Sequence, residues 1–424
     1  MNILLITNND LDGVGQVVSN LNDILNDKGH NSKILLLNNF YKNKNVIKIK
    51  KNFIKKCFFF FLEFLKKSYK EIFTFNNSTI NYKAISNYLN EADAVVIYTL
   101  HKFLDFEMLS KIYRTNKIIY FRPLDMELVT GGCHVNILHE KSKPCMKFYK
   151  NCSRCPKLNN LNFFNISKTI FNKKKLFMNK FKPTILLENK FTRNIYNKSP
   201  VTRNAKNEII YLSVRDSRKK FISKIKAREI FGLNSSDKVI LFGTFNLDAP
   251  HKGGRIIEEI IKLFIEFSLK KNNKLFKLED IKLITFGRKQ SFQFRVPEIK
   301  WLHLGEIFED QKLNALYRAA DVFLSPAIGD NGPATIRESV VNDLPVVAFD
   351  DGEAREIIVN NLNGYLIKKN DKKFFAKKIY YTLYKNKIFV KKNKLNVNLK
   401  FRYSQSTEAD ILVKKILRDQ KNIL

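Results

Sequence analysis

Two carboxylates, Asp330 and Glu338, stand eight positions apart where an apolar strand is followed by a loop and a helix. Glu338 would project back toward the start of this helix, and only the small Ala334 lies one turn above it on the same face. A carboxylate in that place can accept two hydroxyl hydrogen bonds, as a ribose or a hexose would offer. An ordinary capped helix in an α/β domain is the alternative interpretation.

The residues between the two carboxylates would suit an anionic ligand. Asp330-Asn331 is expected to cap the helix, Pro333 to occupy its first turn, and Gly332 to let a ligand approach the backbone closely. Free amides and the positive end of the helix dipole would then favour a phosphate.

Alternating strands and helices are predicted in each half of the chain, and those of the second half are expected to position the segment with Asp330 and Glu338. In the first half a strand at 3–7 is followed by a loop with Gly13 and Gly15 and then by a helix, and further strands are predicted at 32–37, 94–98 and 117–121. The second half repeats the pattern, with strands predicted at 238–242, 281–286, 301–304 and 322–325. This order predicts two α/β, Rossmann-like, doubly wound parallel sheets. The loop glycines lack the third member of a dinucleotide fingerprint.

The domain boundaries follow from this pattern and from composition. We predict an N-terminal domain at 1–205 with a cysteine-rich insertion at about 130–158, a linker at 206–235, a C-terminal domain at 236–395 and a helical tail at 396–424. Ligands of open α/β sheets bind at the carboxyl ends of the strands. The chemistry is therefore expected in a cleft between Gly13 and Gly15 on one wall and the 243–254 and 328–338 loops on the other.

The chain is strongly basic, with 76 Lys+Arg against 40 Asp+Glu and a formal charge of +36. Part of this excess matches the Lys, Asn, Ile and Phe bias of an AT-rich genome. The cluster at 41–56 nevertheless runs directly into a Phe-rich stretch at 57–65, a combination that fits an anchor on an anionic membrane surface. A solvated surface and nucleic acid are the alternatives, and no nucleic-acid-binding motif supports the second. Other basic clusters lie at 172–175, 218–220 and 391–394.

No stretch reaches the roughly 20 apolar residues that span a bilayer, and the N-terminus has no basic region of a signal peptide. The expected location is cytoplasmic, peripheral at the inner face of the cell membrane.

The order of motifs in the second half resembles the retaining glycosyltransferases of family four, which have the GT-B fold. The matching residues extend over about 130 positions and are, in order, Gly243, Lys252-Gly253, Gly305, Leu316-Tyr317, Asp321, Ser325-Pro326, Asp330, Glu338 and Pro345–Phe349. The resemblance implies transfer of a sugar from a nucleotide-sugar donor, with retention, without a protein nucleophile and without a catalytic metal. The implied acceptor is a glycan, and the basic, membrane-directed surface adds the expectation that this glycan is linked to a lipid.

Roles for individual residues follow from the resemblance alone. Glu338 would bind the donor ribose, Asp330 would lie near the transferred sugar, and Lys252 would neutralise the leaving diphosphate. The backbone of Asn331, Gly332, Pro333, Ala334 and Thr335 would face the sugar and the diphosphate. Many relatives carry a second basic residue after the first glycine, where this chain has Thr244-Phe-Asn246, so His251 or Arg255 is expected to compensate. His101, after an apolar strand, is either a cleft histidine or a solvated loop histidine.

The N-terminal half resembles a subgroup of capsule and exopolysaccharide glycosyltransferases through Asp125-Met and Thr130-Gly-Gly-Cys-His134, followed by paired cysteines. Leu124 replaces the histidine of that pattern. A soluble-acceptor synthase of the glycogen or sucrose type, and a non-catalytic basic binding protein on the same scaffold, remain as alternatives.

Four cysteines fall within 23 residues: Cys133, Cys145, Cys152 and Cys155. Their clustering suits a structural zinc site, with His134 or His139 as substitute ligands. Reduced, packed cysteines and redox use are the alternatives, and structural disulfides are not expected in a reducing compartment.

Overall fold

The computed structural model describes residues 1–10, 13–39, 45–66, 73–115, 117–137, 144–158, 165–214, 222–271, 273–385 and 394–422. These residues form two compact units. The first contains the described residues up to Leu212 together with those from Gln405 onward, and the second extends from Ser213 to Ser404.

The first unit is built on a seven-stranded sheet in the order β3-β2-β1-β4-β5-β6-β7. All its neighbouring strands are parallel. The chain adds β2 and β3 on one side of β1 and then returns to add β4 on the other, so that β1 and β4 meet at a topological switch point. The strands are β1 (Asn2–Ile6), β2 (Asn31–Leu36), β3 (Val46–Lys48), β4 (Ala94–Ile97), β5 (Ile118–Phe121), β6 (Thr184–Leu187) and β7 (Lys206–Ile209).

Helices connect these strands, and several begin at the polar caps that their sequences offer. Asn52, Asp105 and Asn189 each accept a hydrogen bond from the backbone three residues later. In the first helix Val18, Leu21 and Leu25 are buried, as the helical spacing predicts. The helices are α1 (Gly13–Asp27), α2 (Phe53–Glu63), α3 (Lys83–Glu91), α4 (Phe106–Tyr113), α5 (Ile166–Phe181) and α6 (Lys190–Lys198).

The second unit has a six-stranded parallel sheet in the order β10-β9-β8-β11-β12-β13, with its switch point between β8 and β11. Its strands are β8 (Lys238–Asn246), β9 (Ile281–Arg288), β10 (Lys300–His303), β11 (Val322–Ser325), β12 (Val346–Phe349) and β13 (Gly364–Ile367). Its helices are α7 (Lys224–Ile230), α8 (Gly254–Leu269), α9 (Asp310–Ala319), α10 (Ala334–Val341), α11 (Ala354–Ile357), α12 (Lys372–Tyr384) and α13 (Lys394–Arg402). The predicted fold class, two doubly wound parallel domains, is confirmed.

The last helix, α14 (Gln405–Lys421), returns to the first unit. Its apolar face, including Leu412 and Ile416, is buried in the core on one side of the first sheet. Arg122, just after β5, forms an ion pair with Glu408 in which both side chains are buried. The Tyr120 hydroxyl donates to Asp419 Oδ2 at 2.7 Å. A helix that supplies both apolar and ionic partners is part of this unit's core.

Two predicted boundaries differ from the structure. The predicted linker at 206–235 contains β7, which pairs with β6, and α7. The predicted tail at 396–424 is divided, with α13 in the second unit and α14 in the first. Strand pairing and the buried face of α14 account for both differences, because composition alone does not reveal which sheet a charged segment joins.

Candidate functional site

Lys252 lies in the loop after β8, in a 3-10 turn formed by Pro250–Lys252. Gly253 follows with φ +77°, and a Cβ there would stand 2.5 Å from the carbonyl oxygen of Pro326. The Ile328 N–H donates to the His251 carbonyl at 2.9 Å. The loop after β8 is therefore joined to the loop after β11, at the switch point of this sheet.

Asp330 stands in the second of these loops, and its Oδ2 accepts a hydrogen bond from Lys252 Nζ. Both side chains are partly buried. Burial opposes ionisation of Asp330, but Lys252, His251 and the Gly332 amide outweigh it and hold the pKa of this carboxyl below its usual value. The two predicted residues thus form a charged pair at the carboxyl edge of the sheet.

Glu338 lies on α10 and accepts a hydrogen bond of 2.6 Å from the Tyr317 hydroxyl on its Oε2. The prediction that Asp330-Asn331 caps this helix is wrong: α10 begins at Ala334, and its N-cap is Pro333, which makes no side-chain cap hydrogen bond. Asp330 is drawn to Lys252 instead.

The loop after β12 also positions this site, and the sequence analysis missed it. Asp351 Oδ2 accepts from the Gly329 N–H at 2.6 Å, and the Glu353 N–H donates to the Asn331 carbonyl at 3.1 Å. Gly352 has φ +55°, and a Cβ there would lie 2.1 Å from the carbonyl oxygen of Asp330. Asp350-Asp-Gly-Glu353 directly after a buried strand was the signal that could have revealed it.

Three buried side chains, those of Arg337, Glu353 and Tyr403, form a hydrogen-bonded cluster at α10. Arg337 Nη1 donates to Glu353 Oε2 at 2.5 Å, and the Tyr403 hydroxyl donates to Glu353 Oε1 at 3.2 Å. Burial raises the pKa of Glu353 to about 7, against the opposing effect of Arg337. The cluster joins α10 to the loop after β12 and to the end of α13, so it fixes the helix that carries Glu338.

Gly243 has a packing role, whereas Gly305 takes a positive φ of 68° that suits glycine. A Cβ on Gly243 would stand 2.0 Å from the Phe286 ring, and the Gly305 carbonyl accepts from the Gly287 N–H at 2.7 Å. Donor contact by either glycine stays a prediction.

Arg288 places a cation close to the loop that lacks the family's second basic residue. It ends β9, lies 5.2 Å from the Phe245 ring centroid and pairs with Glu306 at 3.1 Å. β9 pairs with β8, whose residues Thr244–Asn246 carry no charge. Arg288 is therefore a further phosphate-binding candidate, which the sequence analysis missed.

At the switch point of the first unit, Gly13 begins α1 and Gly15 lies within its first turn. A Cβ on Gly15 would be 2.5 Å from the Asn9 carbonyl oxygen, so the turn from β1 into α1 requires glycine there. A Cβ on Gly13 would meet nothing within 4 Å.

His101 follows β4 and joins a hydrogen-bonded chain of four side chains. Thr74 Oγ1 lies 3.0 Å from His101 Nδ1 and 2.8 Å from His134 Nε2. The other ring nitrogen of His134, Nδ1, lies 2.7 Å from Asp125 Oδ2. These hydrogen bonds connect His101, the predicted catalytic histidine, to Asp125 and His134 at the two ends of the subgroup motif. The connection passes through Thr74, which the sequence analysis did not single out.

The groups around His101 and His134 shift the pKa values of these two histidines in opposite directions. Burial lowers the pKa of His101, with the neighbouring His134 and Lys102 adding to the effect. Burial would lower the pKa of His134 as well, but Asp125 outweighs it and the pKa is raised. When His134 is protonated it donates from both ring nitrogens, and Thr74 then donates to His101 Nδ1, which leaves the proton of a neutral His101 ring on Nε2.

The predicted zinc ligands lie in the same unit. Cys133, Cys145, Cys152 and Cys155 line one pocket, and the Sγ atoms of Cys133 and Cys155 are 3.7 Å apart. Within the described ranges the one group of three ligand atoms within 4.8 Å of one another is instead Asp125, Glu127 and His134. His134 is engaged by Asp125 and Thr74, and His139 lies outside the described residues.

The Phe-rich stretch forms α2, and its large side chains are exposed. Exposed fractions reach 76% for Phe53, 77% for Ile54 and 66% for Phe61. Phe58, Phe60 and Phe64 are also more than half exposed, whereas Phe59 is buried under Lys102. Of the basic clusters, 41–44, 218–220 and 391–393 lie outside the described residues. None of the described helices has the length and hydropathy that a transmembrane span requires.

Comparison with known proteins identifies part of the chain. Residues 257–397 match the family model described as "Glycosyl transferases group 1". Over 100% of both chains, sucrose-phosphate synthase from Thermosynechococcus elongatus superposes with a TM-score of 0.68 at 12% identity. A glycosyltransferase from Rickettsia africae gives 0.62 at 16% identity over 99% of both chains. HepE of Anabaena, in complex with UDP-glucose, gives 0.63 at 13% identity over 99% of this chain and 100% of its own. A comparison with curated proteins gives no match.

The chain has a GT-B fold, and its residues 257–397 match the glycosyl transferases group 1 model. In this GT-B chain the matched region begins inside α8 and contains Gly305, Asp330 and Glu338. Lys252 lies just before it, and the structure joins Lys252 to it through Asp330.

Proposed function

We propose that the protein is a glycosyltransferase that moves a sugar from a nucleoside-diphosphate sugar to a glycan acceptor. The observation that carries the proposal is the Lys252–Asp330 pair at the switch point of the second sheet, beside the start of α10. The family match over 257–397 and the UDP-glucose bound by HepE support the donor class.

Departure of a nucleoside diphosphate places negative charge on its phosphate oxygens. Lys252 and the first-turn amides of α10 are suited to stabilise that charge, since a lysine and aligned amides act there without a metal ion. Glu338, oriented by the Tyr317 hydroxyl, keeps an oxygen for the ribose hydroxyls. Arg288 supplies a further cation if it leaves Glu306 for the phosphate.

We propose transfer with retention, by attack on the face from which the diphosphate leaves. The bond between the anomeric carbon and the phosphate oxygen breaks, the acceptor oxygen bonds to that carbon, and its proton passes to the departing phosphate. We propose that Asp330, which is paired with Lys252, acts as an electrostatic neighbour of the sugar and not as a nucleophile.

The acceptor side is proposed to involve His101. As a neutral ring with its proton on Nε2, it can donate a hydrogen bond to a sugar oxygen at the switch point of the first sheet. Gly13 and Gly15 are proposed to let the donor approach the turn from β1 into α1.

A lipid-linked acceptor in cell-surface polysaccharide synthesis fits the exposed face of α2. Phenylalanines that are more than half exposed beside Lys55 and Lys56 suit the interface of an anionic membrane, where aromatic rings enter the headgroup region and lysines remain outside it. We therefore propose peripheral association with the inner face of the cell membrane.

Calorimetric titration with UDP and GDP, followed by a screen of nucleotide sugars, tests the proposal. Binding of one diphosphate that is lost in Lys252→Ala supports the donor site. Absence of binding to both, unchanged by Lys252→Ala, would leave only a non-catalytic binding protein. Transfer to soluble sugars without any lipid-linked acceptor would favour a soluble-acceptor synthase, and NMR of the product linkage reports retention or inversion.

A further inference from the structure

Four of the five cysteines converge on one pocket of the first unit, although they come from separate loops. We call this the cysteine pocket and define it by Cys133, Cys145, Cys152 and Cys155. Cys133 pairs with Phe73 in an isolated antiparallel bridge, and the Cys145 N–H donates to the Asn136 carbonyl at 2.7 Å. The backbone thus brings thiols that are up to 22 positions apart to one place.

The closest pair already has the spacing of zinc ligands. Cys133 Sγ and Cys155 Sγ are 3.7 Å apart, and a tetrahedral ion with zinc–sulfur bonds of about 2.3 Å separates its sulfurs by about 3.8 Å. No three of the four sulfurs, all in described residues, lie within 4.8 Å of one another. Binding therefore requires Cys145 and Cys152 to turn their side chains toward the pair.

The Cys152–Cys155 turn has two residues in the left-handed region of the backbone. Cys152 and Arg154 have φ of 51° and 49°, a conformation that is uncommon for residues other than glycine. Two side chains hold the turn, since Ser167 Oγ donates to the Cys152 carbonyl at 2.7 Å and Asn165 Oδ1 accepts from the Arg154 N–H at 3.0 Å.

Backbone donors reach two of the sulfurs. The Gly131 N–H donates to Cys152 Sγ at 3.2 Å, and the Lys157 N–H bonds to Cys155. Such bonds favour the thiolate, which is the form that binds metal.

The charge around the pocket complements a zinc–thiolate centre. One zinc ion with four thiolates carries a net charge of 2 − 4 = −2. Lys147 and Lys157 act electrostatically on Cys155, and Lys174 acts on Cys152. Lys157 and Lys174 are themselves buried, so a compensating anionic centre in this pocket would stabilise them.

We propose that the cysteine pocket binds one structural zinc ion. The ion would fasten together three loop segments, at 130–137, 144–148 and 152–158, which have only 3-10 turns and isolated bridges of their own. The site is independent of sugar transfer, and its test needs no substrate.

The full-length protein, purified without metal-affinity resin, is analysed by inductively coupled plasma mass spectrometry. We expect about one zinc per chain, a loss of most of it in Cys152→Ser and in Cys155→Ser, and wild-type content in Cys57→Ser. Cys57 is the matched control because it is exposed on α2, outside the pocket.

A second measurement uses the wild-type chain, in case the serine variants do not fold. A thiol reagent should modify Cys57 at once and the four pocket thiols only after zinc is released to a chromogenic chelator. Zinc-free protein with five reactive thiols would overturn the proposal. A Cys133–Cys155 disulfide found by peptide mass mapping in protein purified under reducing conditions would overturn it in favour of redox use.

Discussion

Lys252 Nζ donates a hydrogen bond to Asp330 Oδ2 although the two residues are 78 positions apart. The pair connects the loop after β8 to the loop after β11, where the order of strands reverses. A cation held by a single carboxylate at this edge is available to a ligand with greater negative charge. A diphosphate would compete with Asp330 for Lys252 and turn an internal ion pair into a binding site.

Replacing Lys252 by alanine should lower kcat/KM for the nucleotide sugar by about 100-fold or more, because the charge on the departing diphosphate loses its nearest cation. Lys252→Arg should keep part of the activity, since it keeps the charge but changes its geometry. Steady-state kinetics and calorimetry with the diphosphate measure both effects. Lys262→Ala, on the exposed face of α8, is the control and should match wild type. Equal kinetics for Lys252→Ala and Lys262→Ala would contradict the assignment.

Tyr317→Phe should weaken donor binding by about 10-fold, because the hydrogen bond that orients Glu338 contributes about 1.5–3 kcal/mol. Glu338→Gln should weaken it at least as much. Both effects should appear mainly in KM for the donor if Glu338 holds the ribose. The exposed Glu309→Gln serves as the comparison, and a fall in kcat at unchanged KM in Glu338→Gln would argue for a catalytic acid instead.

The Asp125–His134 pair makes the stability of the first unit depend on pH. The pKa of His134 is raised, so its stabilisation is present below the unfolded value of about 6.5 and is lost as pH rises through the folded pKa. The pKa of Asp125 is lowered, so its contribution is present above the unfolded value of about 3.9 and is lost as pH falls through the folded pKa. The pair therefore contributes most between the two unfolded pKa values, about 3.9 and about 6.5, where both contributions are fully present.

Chemical denaturation between about pH 6 and pH 9 tests this dependence. The stability advantage of wild type over His134→Gln should shrink as pH rises. Wild type must be compared with the variant because His101, Glu127 and Lys174 also face the Asp125–His134 pair. The lowered pKa of His101 makes stability change with pH in the direction opposite to that of His134. NMR titration of the imidazoles should give His134 the higher pKa and His101 the lower, and the reverse order would refute the protonation scheme.

Phe60→Ser with Phe61→Ser should reduce co-sedimentation with anionic vesicles several-fold without lowering thermal stability, because both rings are exposed. Binding of the wild-type protein to anionic vesicles should weaken as salt is added. Its binding to uncharged phosphatidylcholine vesicles should be weaker than its binding to anionic ones. Leu176→Ser is the matched control, since Leu176 is 71% exposed on α5 of the same unit. If it reduces vesicle binding as much as the double variant does, the surface of α2 is not the docking site.

Glu408→Gln should destabilise the first unit by about 3–5 kcal/mol, because it leaves Arg122 charged in the core without its counter-ion. Glu107→Gln, which removes an exposed helix pair with Lys111, should leave the stability close to that of wild type, because solvent screens this pair. Urea denaturation followed by far-UV circular dichroism compares the two. Equal losses would show that Arg122 has other partners sufficient to hold it.

The second sheet and its loops could be predicted because their signals are local. Each strand is a short apolar run, and Lys252, Asp330 and Glu338 stand in the loops or the helix that follow such runs. Parallel topology alone then brings those loops to one edge. The cap of α10 could not be predicted, because Asp330 had two possible partners and the more distant one, Lys252, is charged.

Long-range partners account for what the sequence did not reveal. Thr74 stands in a segment without a distinctive pattern, and its importance lies in a contact with His134, 60 positions away. Arg337 and Glu353 stand in segments with clear patterns, but no local signal shows that the two pair across 16 positions. The sequence did not reveal which of the two sheets α14 packs against, for a similar reason. Its apolar spacing predicts a buried face, but both sheets were equally available to cover it.

The return of α14 also affects the order in which the chain can fold during synthesis. The whole of the second unit leaves the ribosome before the helix that completes the first unit is made. Until then Arg122 has no Glu408, and one side of the first sheet lacks Leu412 and Ile416. A fragment ending near Leu212 would therefore expose that side to solvent, so a stable first domain requires residues 405–422 to be joined to it.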